Sequence, residues 1–85
     1  MNIPNSVTDI GIGAFQTNKV MKAISLGTSV SYIGDFAFEK CKGVKSLYIP
    51  NSVTHIGQNA FKKAILQSLT IGSGVQTIGA SAFAG

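Results

Sequence analysis

The stretch V-T-D-I-G-I-G-A-F at residues 7–15 is the first of four copies of the pattern V-x-x-I-G-x-x-A-F. The other copies lie at residues 30–38, 53–61 and 75–83, so the period is 23, 23 and 22 residues. The Val, Ile, Gly, Ala and Phe columns hold in every copy. A fixed period of this length is typical of proteins in which successive repeats stack and bury a continuous core.

A second pattern lies between the copies, with large apolar residues at the first, fourth and sixth positions. It occurs at residues 21–26, 44–49 and 66–71. Alternation at its end predicts one short strand per repeat, with apolar side chains inward and the intervening side chains outward. Gly or Pro follows each strand and ends it, at Gly27, Pro50 and Gly72.

The remaining columns predict the rest of the repeat. V-x-x-I predicts a short extended segment whose aliphatic side chains point into the core from the side of the coil opposite the strand. The Gly that follows it is expected to permit a backbone turn. The x-x-A-F segment predicts a helical or 3-10 turn whose Phe fills the centre. Because each repeat advances by about 4.8 Å, equivalent residues should form columns. The aromatic column consists of Phe15, Phe38, Phe61 and Phe83.

The string I-P-N-S-V-T-x-I-G-x-x-A-F, at residues 3–15 and 49–61, resembles the BspA-like (Treponema pallidum-type) leucine-rich repeats. The variant I-G-S-G-V-x-x-I-G-x-x-A-F at residues 71–83 resembles the same family. The resemblance covers essentially the whole chain. It implies an α/β solenoid: a right-handed coil with short parallel strands, short helical or 3-10 turns, and four repeats of 22–23 residues. It also implies a surface-exposed or secreted protein engaged in adhesion or protein–protein contact.

The domain organisation follows from the repeats. Residues 1–85 are expected to form a single solenoid domain, and the chain is expected to be a segment of a longer array. Neither end carries a polar capping unit of the kind that solenoids need for solubility. If the chain is whole, its uncapped ends predict end-to-end self-association.

The composition narrows the function classes. No run of 18 or more apolar residues is present, so no membrane span is expected. The single cysteine, Cys41, excludes an internal disulfide framework, and we expect a buried, inert thiol. The single histidine, His55, falls at an outward position and cannot form a metal cluster alone. The sequence therefore predicts no enzyme, no metal site and no cofactor.

All seven basic residues are lysines, and all lie between a Phe of the repeat and the strand that follows it. This alignment predicts a lysine edge along the stack. One interpretation is a solvated edge that discourages aggregation. Another is a binding site for an acidic glycan, matrix component or acidic protein. Nucleic acid is disfavoured because no Arg is present and no aromatic residue alternates with the lysines. The lysine edge comprises Lys19, Lys22, Lys40, Lys42, Lys45, Lys62 and Lys63.

Outward strand positions are predicted to line the concave sheet, where solenoids usually bind their partners. We call these residues the strand face: Ser25, Ser46, Tyr48, Ser68 and Thr70, with Ala23 beside them. Tyr48 is the residue suited to anchor a partner. The sequence therefore predicts a non-catalytic scaffold for protein interaction or adhesion. The alternative is a carbohydrate- or matrix-binding module that uses the lysine edge.

Overall fold

The computed structural model describes residues 3–22 and 24–83, which contain six short strands. We number the repeats from the turn that opens each one: repeat 1 (residues 4–26), repeat 2 (27–49), repeat 3 (50–71) and repeat 4 (72–83). The strands are β1 (Asp9–Ile10), β2 (Tyr32–Ile33), β3 (Ser46–Ile49), β4 (His55–Ile56), β5 (Ser68–Ile71) and β6 (Thr77–Ile78).

The V-x-x-I segments form a parallel four-stranded sheet in the order β1-β2-β4-β6, with one strand from each repeat. The second residue of each strand is an Ile that pairs with its equivalent in the next repeat, so the register follows the sequence period. The predicted extended segments are therefore true strands.

The predicted L-x-I strands form the second sheet, in which β3 and β5 pair in parallel over four residues. Leu47 lies opposite Leu69, and Ile49 lies opposite Ile71. In repeat 1 the described residues 24–26 of the equivalent segment include one bridge residue, Ser25, whose carbonyl accepts a hydrogen bond from Ile3 N at 2.8 Å. The predicted strand is therefore present in repeats 2 and 3, and the described part of the segment in repeat 1 shows a bridge at Ser25.

The prediction of a helical or 3-10 turn at x-x-A-F is wrong, because no residue within 3–22 or 24–83 is helical. Every second backbone N–H group in this segment donates to a carbonyl of the next repeat: Phe38 N donates to Ala60 O at 2.7 Å, and Lys40 N donates to Lys62 O at 2.8 Å. The other N–H groups donate to the carbonyl three residues earlier in the chain and close local turns, as Cys41 N does to Phe38 O. A helix would need every N–H for its own backbone. Within residues 3–22 and 24–83, the non-glycine residues with positive φ are Thr17, Phe36, Lys40, Asn59, Lys63 and Ser81.

The Gly that follows V-x-x-I has a different role from the one predicted. Gly13 is the one described glycine with positive φ, so the Gly11, Gly34, Gly57 and Gly79 column does not supply a left-handed turn. A Cβ placed on Gly57 would lie 2.5 Å from Asp35 N in the preceding repeat. Gly34, Gly57 and Gly79 are therefore glycine because the backbone of the preceding repeat approaches too closely for a side chain, whereas a Cβ on Gly11 would meet nothing within 4 Å.

The core consists of stacked columns, as predicted. The rings of Phe15, Phe38, Phe61 and Phe83 follow one another with centroids 5.2, 5.1 and 5.2 Å apart. Their planes differ by 13°, 2° and 1°, so the column is a nearly parallel stack. The Ile and Val columns of repeats 2 and 3 are fully buried beside it. Aromatic pairs at this separation contribute beyond their burial, by about 0.5–1.5 kcal/mol each.

In β5 and in repeat 4, apolar side chains at inward positions of the repeat are exposed. Ile56 is 1% exposed, whereas its equivalent Ile78 is 49% exposed, and Leu69 and Ile71 are exposed as well. No described repeat packs on the outer side of these residues. End-to-end association stays a prediction, and these side chains form the surface that it would use.

The phenylalanine column yields a stability prediction. Phe38 lies between two ring neighbours and is buried, so Phe38→Ala should lower the free energy of unfolding by about 3–5 kcal/mol. Phe83 has one described ring neighbour, so Phe83→Ala should cost noticeably less. Urea denaturation followed by circular dichroism measures both.

Phe36→Ala is the matched control, because Phe36 is half-buried and lies outside the column. Because the ring that is removed is only half-buried, Phe36→Ala should cost less than Phe38→Ala. Losses at Phe38 and Phe83 of equal size would contradict a stack held together by contacts between neighbouring repeats.

Candidate interaction surfaces

The strand face is assembled largely as predicted. Ser46 pairs with Ser68 and Tyr48 pairs with Thr70, and all four side chains are exposed. Ser25 is exposed too, and Ala23 lies outside the described residues. In β3 the alternate residues are buried, which fixes the backbone below the exposed row. The result is a shallow hydroxyl surface from which one aromatic side chain, Tyr48 at 54% exposure, projects.

The lysine edge is also brought together, through backbone contacts between repeats. Lys40 N donates to Lys62 O at 2.8 Å, and Lys45 O accepts from Gln67 N at 2.7 Å. A Cβ on Gly43 would lie 3.0 Å from Lys19 O, so residues 19–22 run directly beside residues 42–45. Five of the lysines are exposed, and Lys40 and Lys62 are half-buried.

Two acidic side chains, Glu39 and Asp35, form hydrogen bonds to residues other than lysine. The Glu39 carboxylate accepts from Gln16 Nε2 at 2.7 Å, and Asp35 Oδ1 accepts from Gln58 N at 2.8 Å. Both bonds join neighbouring repeats. These carboxylates therefore reinforce the stack and leave the lysines available to solvent.

A third surface is the outward row of the four-stranded sheet, which consists of Asp9, Tyr32, His55 and Thr77. The outward position predicted for His55 is confirmed, since its side chain is exposed. Thr54 Oγ1 donates to Ser31 O at 3.1 Å and lies 2.8 Å from His55 Nδ1.

The sequence reasoning missed two asparagines that connect repeats. Asn5 Oδ1 accepts from Thr28 N at 3.1 Å, and Asn51 Oδ1 accepts from Ser73 N at 2.8 Å. Both belong to the I-P-N-S form of the repeat, so the signal was present in the string. Their role is to satisfy backbone N–H groups in the turn of the following repeat.

An open groove of about 360 Å³ lies at the repeat 4 end, with Phe61, Leu69 and Phe83 among its walls and Gln67 as its polar member. The described residues contain no group of three or more His, Cys, Asp or Glu side chains that could hold a metal ion. The side chains that project from this part of the chain lie on open surfaces.

The family model described as BspA type leucine rich repeat region (6 copies) matches residues 1–85. The chain belongs to the BspA-type leucine-rich-repeat family. Comparisons with curated proteins and with solved structures each gave no match. Membership of the BspA-type family is consistent with a repeat module for protein interaction. Among the described residues of this BspA-type repeat region, no helix is long and apolar enough to cross a membrane.

Cys41 occupies the core of the BspA-type repeats. It is buried, as predicted, and its thiol donates a hydrogen bond to Phe15 O at 2.9 Å. Burial raises the pKa of the Cys41 thiol, and a backbone hydrogen bond from Asn18 opposes this increase in part. Because the thiolate is the nucleophile, both burial and the raised pKa reduce reactivity at neutral pH.

We therefore expect iodoacetamide to alkylate native Cys41 at least about 100-fold more slowly than the urea-unfolded chain, because reaction needs local opening. The alkylation rate should rise with pH. The midpoint of that rise should lie at a higher pH in the folded protein than in the unfolded chain, because burial raises the pKa of the Cys41 thiol. Mass spectrometry follows the reaction. In the control, Cys41→Ser with Ser6→Cys, the thiol is at an exposed position and should react freely. Equal native rates for Cys41 and the control thiol would contradict this account.

Proposed function

We propose that this chain is a non-catalytic interaction module that binds a protein partner through the strand face. The observation that carries the proposal is the exposed row on paired strands, in which Tyr48 projects from small hydroxyl residues. Tyrosine is enriched among the residues that dominate binding energy, because its ring offers large contact area and its hydroxyl a polar bond. Family membership supports the same general role.

The rigidity of β3 supports preorganisation of the part of the strand face that carries Tyr48. Leu47 and Ile49 are buried on the inner side of β3, so the positions of Ser46 and Tyr48 are set by the core. A surface held in place before binding loses less conformational entropy on association. The row can therefore bind without rearrangement of the backbone.

Two observations support binding rather than catalysis. The Cys41 thiol is enclosed in the core and already hydrogen-bonded to Phe15 O. His55, the one histidine of the chain, faces solvent on a sheet surface and lies within hydrogen-bond distance of Thr54. A catalytic base acts on a nucleophile or substrate held within hydrogen-bond reach in a cleft.

Family membership is the basis for our proposals on the overall winding of the repeats and on the cellular setting of the module. We propose that the repeats wind as a right-handed solenoid with the strand face on its concave side. We also propose that the module acts in adhesion at a cell surface or after secretion, because this is the setting expected of BspA-type repeats.

The test is a binding screen against an array of purified extracellular and cell-surface proteins. We expect specific binding by the wild type and a 10- to 30-fold loss, an order-of-magnitude figure for removing an aromatic anchor, in Tyr48→Ala. Tyr32→Ala is the matched control, because Tyr32 is an exposed tyrosine on the other sheet, and its affinity should change less than about twofold. Surface plasmon resonance gives the affinities.

Two results would overturn the proposal. One is a screen in which no protein binds the wild type. The other is an equal loss in Tyr48→Ala and Tyr32→Ala, which would show that the strand face has no special part in recognition.

A further inference from the structure

The charges of the chain are segregated. Seven lysines and Glu39 lie within residues 19–22, 39–45 and 62–63, which gives this region a formal charge of +6. Asp9 and Asp35 give the rest of the chain a charge of −2. The net charge of +4 therefore understates the positive field at the lysine edge. A field of one sign concentrated on one region attracts ligands of the opposite sign.

The structure places these lysines in register along the stack. Residues 19–22 lie beside residues 42–45, and Lys40 N is bonded to Lys62 O. Equivalent backbone positions in neighbouring repeats are about 4.8 Å apart. Each aligned pair of lysines spans two neighbouring repeats at a spacing set by the backbone, and the lysines together extend over repeats 1 to 3. This arrangement suits a ligand whose own charges repeat along a line.

The Glu39 carboxylate offsets one of the seven positive charges and leaves this row strongly positive. It accepts a hydrogen bond from Gln16 Nε2 in repeat 1 at 2.7 Å. Like charges side by side repel one another, and a polyanion that binds them relieves that repulsion. The edge is thus arranged for an anionic polymer.

We propose that the lysine edge binds a linear sulfated polysaccharide. Lysine ammonium groups act as point charges toward sulfate, and exposed Val20 and Ile65 beside the lysines offer apolar contact to the C–H faces of sugar rings. The edge has no arginine for base edges and no aromatic platform for stacked bases, so its chemistry fits a sulfated sugar better than a nucleic acid.

The test measures binding of a fluorescent, size-defined heparin oligosaccharide by anisotropy. With about four sulfate contacts, affinity should fall about 100-fold between 50 and 200 mM salt. The fully desulfated oligosaccharide is the matched control and should not bind. Absence of binding at 50 mM salt, or equal binding of the desulfated probe, would overturn the proposal.

Charge variants in matched pairs locate the site. Lys42→Gln removes one positive charge from the edge and should weaken binding by roughly fivefold and reduce the salt slope by about one. Thr77→Glu makes the same change in net charge on the four-stranded sheet and should have less than about a twofold effect at 150 mM salt. In the opposite direction, Glu39→Gln should strengthen binding by roughly twofold or more, and Asp9→Asn should not.

The pairs also separate a local site from a general attraction. If Lys42→Gln and Thr77→Glu weaken binding equally, net charge alone explains the interaction and the proposal fails. If a single-stranded oligonucleotide of equal charge binds more tightly than the oligosaccharide, the ligand class is wrong. Tyr48→Ala should leave oligosaccharide binding intact, so this site and the strand face succeed or fail independently. Unchanged urea midpoints confirm that each variant is folded.

Discussion

The register between neighbouring repeats is the constraint on which the rest of this structure depends. Backbone N–H groups of one repeat bond to carbonyls of a neighbouring repeat at separations of 21 to 24 residues in the chain. A shift of one residue would turn the inward side chains of each strand toward solvent. The phenylalanine stack, the buried Ile and Val columns and the glycines between backbones all require this register.

The same constraint divides the residues into two groups. Inward positions must repeat, because each side chain is packed against its own equivalents above and below. Outward positions are free to vary, and two groups of them, the strand face and the lysine edge, form the proposed binding surfaces. The alignment of lysines is a consequence of the register, and its repulsion at the exposed surface is small enough for the packed core to offset.

The sequence predicted the elements that depend on the inward columns: the strands, the phenylalanine stack, and the buried Cys41. It did not predict the segment around Phe38, where Ala37 and Cys41 close local turns while Phe38 and Lys40 donate to the next repeat. Local propensity describes one repeat, whereas these bonds exist only between repeats. The Gly57 column was misassigned for the same reason, because the backbone that excludes its Cβ belongs to the preceding repeat. On the surfaces, alignment predicted which residues share a row. The bonding of Glu39 and His55 to neighbouring side chains depends on rotamers that no alignment gives.

Amide hydrogen exchange tests the register most directly. Gly34, Gly57 and Gly79 each donate to the Ile carbonyl of the preceding repeat, at 2.8, 2.7 and 2.8 Å. Nuclear magnetic resonance should show these three amides exchanging at least about 1,000-fold more slowly than in an unfolded chain, because exchange requires separation of repeats. The slowest should be Gly57, at the interface between the two central repeats. Exchange of all three at unprotected rates in the folded protein would contradict the account.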